Sequence, residues 1–248
     1  MHIRVITPIV TRDFRSPEDL AGFAGEGLEI SHAFIEMGPA SIESAFDETL
    51  AAPGALDQII KAENEGADAA VIDCLGDIGM HAGREAVEIP VVGAGEASMH
   101  VAAMLGHRFS ILAPLKRVFQ LNENQAKVYG VSAKLASLRA VDLPVLELET
   151  DRSALTQRMI AQGIRAIEED GAHVLLFGCT GMNRVAEAVA SGLQERGYSV
   201  PVVEPLTTAI RVAEMLVKLR LPFSKVTYPF PLSKIVEGYP FARLDKEQ

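Results

Sequence analysis

The chain has 248 residues, 48% of them hydrophobic and 23% charged, the balance of a folded globular protein with room for one large domain or two smaller ones. A net charge of −10 argues against a nucleic-acid partner, and no apolar run approaches the roughly 18 residues of a membrane span. Two cysteines are too few for a disulfide framework or an all-cysteine metal site, and the opening MHIRVITPIV lacks a signal-peptide layout, so a cytoplasmic protein is expected.

Taken in chain order, short apolar runs alternate with stretches of helical period. Strands are predicted over 3–6, 28–34, 69–72 and 91–92, then over 109–112, 138–141, 174–177 and 200–203. Most are rich in Val, Ile and Leu with little polar alternation, as expected where both faces are covered. Helices are predicted over 55–64, 118–129, 153–169, 183–196 and 207–219, the alternation of parallel α/β units. The stretch 221–241 carries Pro222, Pro229, Pro231 and Pro240, too many for a helix. Its Tyr228, Phe230, Tyr239 and Phe241 point to an arm docked on a lobe or a partner subunit.

The chain also repeats itself. Gly66-Ala67, an apolar strand and Cys74-Leu75-Gly76 are matched by Gly171-Ala172, an apolar strand and Cys179-Thr180-Gly181. The cysteines stand 179 − 74 = 105 positions apart, and the strand-ending prolines Pro8 and Pro114 stand 114 − 8 = 106 apart. Each cysteine is followed by a helix-like stretch and a Pro-Val-Val run, at Pro90 and Pro201. Several elements in order at one offset predict an α/β protein of two similar lobes. Each lobe is a parallel sheet flanked by helices, the two are related by a pseudo-twofold, and a cleft lies between them. Residues 1–98 plus 205–248 would form the lobe with Cys74 and the arm; 99–204 would form the lobe with Cys179.

Both cysteines fall at the carboxyl end of a predicted strand, the edge where open α/β sheets bind ligands. A following helix N-terminus would offer amides to an anion and lower the thiol's pKa. Facing lobes would bring the thiols to opposite walls of one cleft, free and not disulfide-bonded. Opposed thiols suit inversion at a carbon acid: a thiolate removes the α-proton from one face and a thiol delivers a proton to the other. Backbone donors beside them would hold the enolate-like oxygen. The competing reading is two buried cysteines acting as small hydrophobes.

These residues resemble the aspartate/glutamate/hydantoin racemase superfamily, and within it the hydantoin and allantoin racemase branch. The resemblance runs almost end to end. It is carried by Asp73-Cys74-Leu75-Gly76-Asp77-Ile78-Gly79, Pro90-Val91-Val92-Gly93, Leu105-Gly106-His107-Arg108-Phe109-Ser110, Pro144-Val145-Leu146-Glu147-Leu148-Glu149, Phe177-Gly178-Cys179-Thr180-Gly181-Met182 and Ser224-Lys225. It implies a cofactor-independent racemase or epimerase with Cys74 and Cys179 as the acid/base pair. It also implies substrate contacts at Pro8, Ile9, Gly76, Asp77, Arg117, Thr180 and Gly181, and assembly into homo-oligomers. The substrate would be a small molecule, anionic or imide-like, such as a hydantoin, allantoin or an amino-acid derivative.

The first loop departs from the branch, with Thr7-Pro8-Ile9-Val10 where Asn-Pro-Asn and a hydroxyl residue are usual, and Ala113-Pro114 stand where threonines are usual. That pattern keeps the reaction machinery and alters the specificity loops. Two alternatives share the site or the architecture: a maleate-isomerase-like cis–trans isomerase or decarboxylase using a nucleophilic or acid cysteine, and a non-catalytic two-lobed protein that closes on a small anion. Asp77 and Thr180 could each contact substrate or cap a helix. Glu96 and Glu204, just past the Pro-Val-Val runs, are expected as solvated carboxylates at the cleft edge. Gly93-Ala94-Gly95 lacks a third glycine at Ser98 for a dinucleotide turn, and the six histidines show no metal-ligand spacing.

Overall fold

The branched and apolar runs form eight parallel strands in a computed structural model that describes residues 1–25, 27–148, 150–232, 234 and 237–239. Strands β1 (His2–Thr7), β2 (Glu29–Phe34), β3 (Ala69–Ile72) and β4 (Val91–Gly93) form one sheet in the order β2-β1-β3-β4. Strands β5 (Phe109–Ala113), β6 (Leu135–Ala140), β7 (Val174–Phe177) and β8 (Val202–Val203) form a second in the order β6-β5-β7-β8. Adding four to each label of the first order yields the second, so the sequence repeat is a repeat of topology. In each sheet the chain runs outward from its first strand, then crosses to the other side for its third. The reversal opens a crevice at the carboxyl ends of β1 and β3, and another at those of β5 and β7.

After a short α1 (Pro17–Ala21), longer helices cover both faces of the first sheet, which explains the unbroken apolar runs of β3 and β4. On one face, Ile6, Ile72 and Val91 pack with Ile59 and Ile60 of α2 (Ala45–Asn64) and with Met80 of α3 (Met80–Ala86). On the other, Ile3, Val5, Val71 and Val92 pack with Ala97 of α4 (Ala94–Leu105) and with Leu206, Ala209, Ile210 and Ala213 of α8 (Pro205–Leu219). Each Val, Leu, Ile or Met among these contributes roughly 1.5–3 kcal/mol by leaving water. In the second sheet, Leu112, Leu175 and Phe177 pack with Leu155, Met159 and Ile160 of α6 (Arg152–Asp170) and with Val189 and Leu193 of α7 (Ala186–Gln194).

Two boundaries differ from expectation in ways that matter for the site. Pro53 reads as a helix breaker, yet α2 begins ten residues before 55, at Ala45, capped by Ser44, whose hydroxyl oxygen accepts from the Asp47 amide at 3.2 Å. Burial of Ala51, Ala55 and Ile59 on one face sustains the helix across the proline. The helix predicted over 183–196 is a 3-10 turn over Thr180–Val185 followed by α7.

Phe223, Lys225 and Tyr228 of the predicted arm pack against α3. Arg84 of α3 is buried, with its guanidinium 3.8 Å from the Phe223 ring centre and 5.5 Å from that of Tyr228. Lys225 Nζ donates to the carbonyls of Arg84 at 2.7 Å and Val87 at 2.6 Å, closing the end of α3. Pro240 and Phe241, also assigned to the arm, lie outside the described residues.

Candidate active site

Register places the two cysteines alike. Ile6 pairs with Ile72 and Leu112 with Phe177, and each cysteine lies two residues beyond the strand end. The amide of the intervening residue donates back to the neighbouring strand in both halves, Asp73 N to Ile6 O and Gly178 N to Leu112 O, each at 2.8 Å. Cys74 and Cys179 are free thiols, and both line one cavity of about 60 Å³ between the sheets.

The backbone after each cysteine departs from the expected helix start. Asp77 and Gly79 adopt left-handed backbone, with φ of 52° and 73°, and delay α3 until Met80; after Cys179 comes the 3-10 turn. No α-helix starts directly after either cysteine, so the macrodipole expected at each thiol from its own following helix is absent. The Gly181 amide donates to Cys179 Sγ at 3.4 Å, and the Gly76 amide donates to Cys74. These amides favour thiolate, but burial wins: it pushes Cys74 well above the usual thiol range and Cys179 up to about 12. The expected lowering is therefore reversed, and both thiols are protonated at neutral pH.

Beneath the thiols lies a buried ion pair. Arg15 Nε and Nη2 donate to Asp73 Oδ2 and Oδ1, each at 2.9 Å, with both side chains essentially solvent-free. Thr7 Oγ1 also donates to Asp73 Oδ2 at 2.7 Å. Burial alone would raise the Asp73 pKa; the charge and hydrogen bonds of Arg15, with Thr7, hold it below the usual carboxylate value. Arg15 Nη2 reaches on to the Thr180 carbonyl at 3.1 Å, joining the turn beside Cys74 to the turn beside Cys179.

Of the residues expected to contact substrate, Pro8, Ile9, Gly76 and Thr180 line the cavity with the two cysteines. Gly181 stands behind Cys179, bonded to its sulfur. Asp77 faces away and caps α4: its oxygens accept from the Gly95 and Glu96 amides, each at 2.7 Å, and from the Tyr129 hydroxyl at 2.6 Å. Burial outweighs those donors and pushes the Asp77 pKa up to about 7. Arg117 is exposed on a 3-10 turn over Lys116–Val118 and does not line the cavity.

Neither expected solvated carboxylate stands free in solvent, although Glu96 keeps a quarter of its side chain exposed. Glu204 is buried and caps α8 by accepting from the Leu206 and Thr207 amides at 2.8 and 2.7 Å, and Glu96 pairs with buried Arg84. In both cases the strand ends where an adjacent helix begins, so the carboxylate turns inward to groups that need an acceptor or a counter-ion.

Sequence reasoning missed Arg15, Phe14, Glu48 and Asn122, the last three of which line the cavity. Glu48 was hidden because the predicted helix began at residue 55. Asn122 sits on α5 (Phe119–Val128), within a predicted helix, and a polar residue on that helix's buried side was the available signal.

Known proteins share both the sequence and the fold. Residues 20–213 match the family model described as Asp/Glu/Hydantoin racemase. The chain is 38% identical over 241 residues to a hydantoin racemase of Pseudomonas sp. (strain NS671), covering 96% of this chain and 95% of that one. It superposes on an allantoin racemase from Klebsiella pneumoniae with a TM-score of 0.88 at 37% identity, covering 96% of each chain. It superposes on an allantoin racemase from Pseudomonas fluorescens with a TM-score of 0.89 at 34% identity, over 96% of this chain and 100% of that one. The chain belongs to the Asp/Glu/hydantoin racemase family and is an isomerase of the racemase type.

Proposed function

We propose that this protein inverts the stereocentre of a ring-type carbon acid of the hydantoin or allantoin kind, using Cys74 and Cys179 as the two acid/base groups. The observation that carries this reading is the placement of the chain's two cysteines, one beyond the third strand of each sheet, in the wall of a single cavity. In one direction the minor form in which Cys74 has lost its proton to solvent takes the α-proton as thiolate, and the Cys179 thiol gives its proton to the opposite face of the same carbon. The product leaves with inverted configuration, Cys74 protonated and Cys179 as thiolate. Reversal of the two roles carries out the other direction. The Gly76 and Gly181 amides, each donating to a sulfur, stabilise whichever thiolate is present. We divide the chain at 1–98 plus 205–248 and 99–204, because α8 shares its core with β1, β3 and β4.

The test is chiral chromatography of 5-benzylhydantoin and allantoin, each started from one enantiomer. Wild-type protein is expected to racemise at least one of them. Cys74→Ala and Cys179→Ala are each expected to lose at least about 10³-fold in rate, within the range for removing a positioned acid or base. In D₂O, a single-cysteine variant can still exchange the α-proton with retention on its remaining face. Full racemisation by Cys179→Ala would sink the two-base assignment.

A further inference from the structure

The cavity between the thiols is unbalanced in its hydrogen-bonding groups. None of its lining residues is Lys, Arg or His, and its Asp73 is already neutralised by Arg15. Two side chains in the wall carry acceptor oxygens that take no hydrogen bond from the described residues.

The first is Glu48, on the first turn of α2. A Cβ placed on Gly76 would lie 2.9 Å from Glu48 Oε1 and 3.6 Å from Cys74 Sγ, so carboxylate and thiol flank the same point of the wall. Burial, then the neighbouring Asp47, raises the Glu48 pKa above the usual carboxylate value. The second is Asn122, whose buried Oδ1 is unpaired. Its orientation is set by a chain of bonds. The Leu75 carbonyl can only accept, so Gln125 turns its Nε2 to it at 2.6 Å. Gln125 Oε1 then accepts from Asn122 Nδ2 at 3.3 Å, and Asn122 Oδ1 is the end left over.

We propose that Glu48 and Asn122 are specificity-determining acceptors that read the N–H groups of a neutral cyclic ureide or imide held between the thiols. This deepens the racemase reading and rests on it for the placement of the substrate. A ligand carboxylate would meet no counter-charge among the lining side chains and would stand against Glu48. A ring with two N–H groups satisfies both acceptors and brings no net charge, while its carbonyls face the amides of the cysteine turns. Recognition by leaving buried acceptors unpaired when N–H is absent discriminates more sharply than an apolar wall can.

Calorimetric titration of the full chain tests this, using 5-benzylhydantoin, its 1-methyl, 3-methyl and 1,3-dimethyl derivatives, and phenylalanine as the carboxylate-bearing control. The parent ring is expected to bind at least about tenfold more tightly than the dimethyl ring and than phenylalanine, the size of a lost hydrogen bond to a charged group. Glu48→Gln and Asn122→Leu should each narrow the gap between parent and dimethyl ring. The singly methylated rings, tested on wild-type protein, keep the outcome independent of how the variants fold. Equal binding of parent and dimethyl rings, tighter binding of phenylalanine, or no binding of the parent ring would overturn the proposal. Racemisation is read separately. Binding that discriminates N–H without loss of optical rotation would refute the racemase reading alone; racemisation without discrimination would refute this proposal alone.

Discussion

The two cysteine turns are built on one backbone plan and held by different chemistry. In both, the carbonyl one residue past the cysteine accepts from a side chain of the opposite half: Gln125 Nε2 donates to Leu75 O at 2.6 Å, and Arg15 Nη2 donates to Thr180 O at 3.1 Å. Each donor comes from the segment following the first strand of its own sheet, so the exchange is reciprocal. The equivalence stops at charge. Arg15 is anchored on Asp73, which also accepts from Thr7, whereas the positions matching Asp73 and Thr7 in the second half are Gly178 and Ala113. A Cβ on Gly178 would lie 2.6 Å from Ala113 Cα and 2.8 Å from Leu112 O, so no side chain fits where Asp73 has one. Strand register reproduces the position of a thiol, but the charge that secures both turns is supplied from one side.

The largest effect is expected from Arg15→Met, which leaves the Asp73 carboxylate buried without its counter-ion. A destabilisation of about 3–5 kcal/mol in urea unfolding is expected, with loss of racemisation. A change below about 1 kcal/mol would show that the pair does not secure the turns. Next in size is the pH response, which asks whether the thiols differ in practice. Burial holds both protonated, so kcat/KM should rise about tenfold per pH unit between about pH 7 and pH 9, with the same slope from either enantiomer. A flat profile would contradict the raised thiol pKa values.

Gly178→Ala probes the same contrast from the second half. The colliding atoms are backbone and cannot step aside, so a cost of about 1–3 kcal/mol is expected, read as a lower urea midpoint. Gln125→Leu should be mildest, costing about 1–2 kcal/mol in the same assay, because it removes only neutral hydrogen bonds, to Leu75 O and from Asn122 Nδ2, and no charge. A loss as large as that of Arg15→Met would make the two straps equivalent after all.

Most of the frame is legible in the residues. The strands over 69–72 and 174–177 have their predicted ends, because runs of Ala, Val, Leu, Ile and Phe covered on both faces leave little choice of structure. The helix over Arg152–Asp170 falls within one residue of prediction, capped by Asp151, whose side chain accepts from the Ala154 amide, and ended by left-handed Gly171. Helix α2 was half missed because a proline's local cost can be outweighed by burial of a whole face, which local sequence does not report. That miss hid Glu48, a carboxylate that flanks Gly76 together with Cys74 in the cavity wall.

The two-lobed α/β plan and the matched placement of Cys74 and Cys179 were written in the residues, because repeated turn-strand-cysteine blocks at one offset encode matching strand ends. Which side chains surround those thiols was settled by packing in three dimensions. It sent Asp77, Glu96 and Glu204 to caps and an ion pair, left Arg117 in solvent, and drew Arg15, Glu48 and Asn122 to the site. The physical reason is that strand position follows from local periodicity. The destination of a polar side chain depends instead on which distant donors and charges burial leaves to be satisfied.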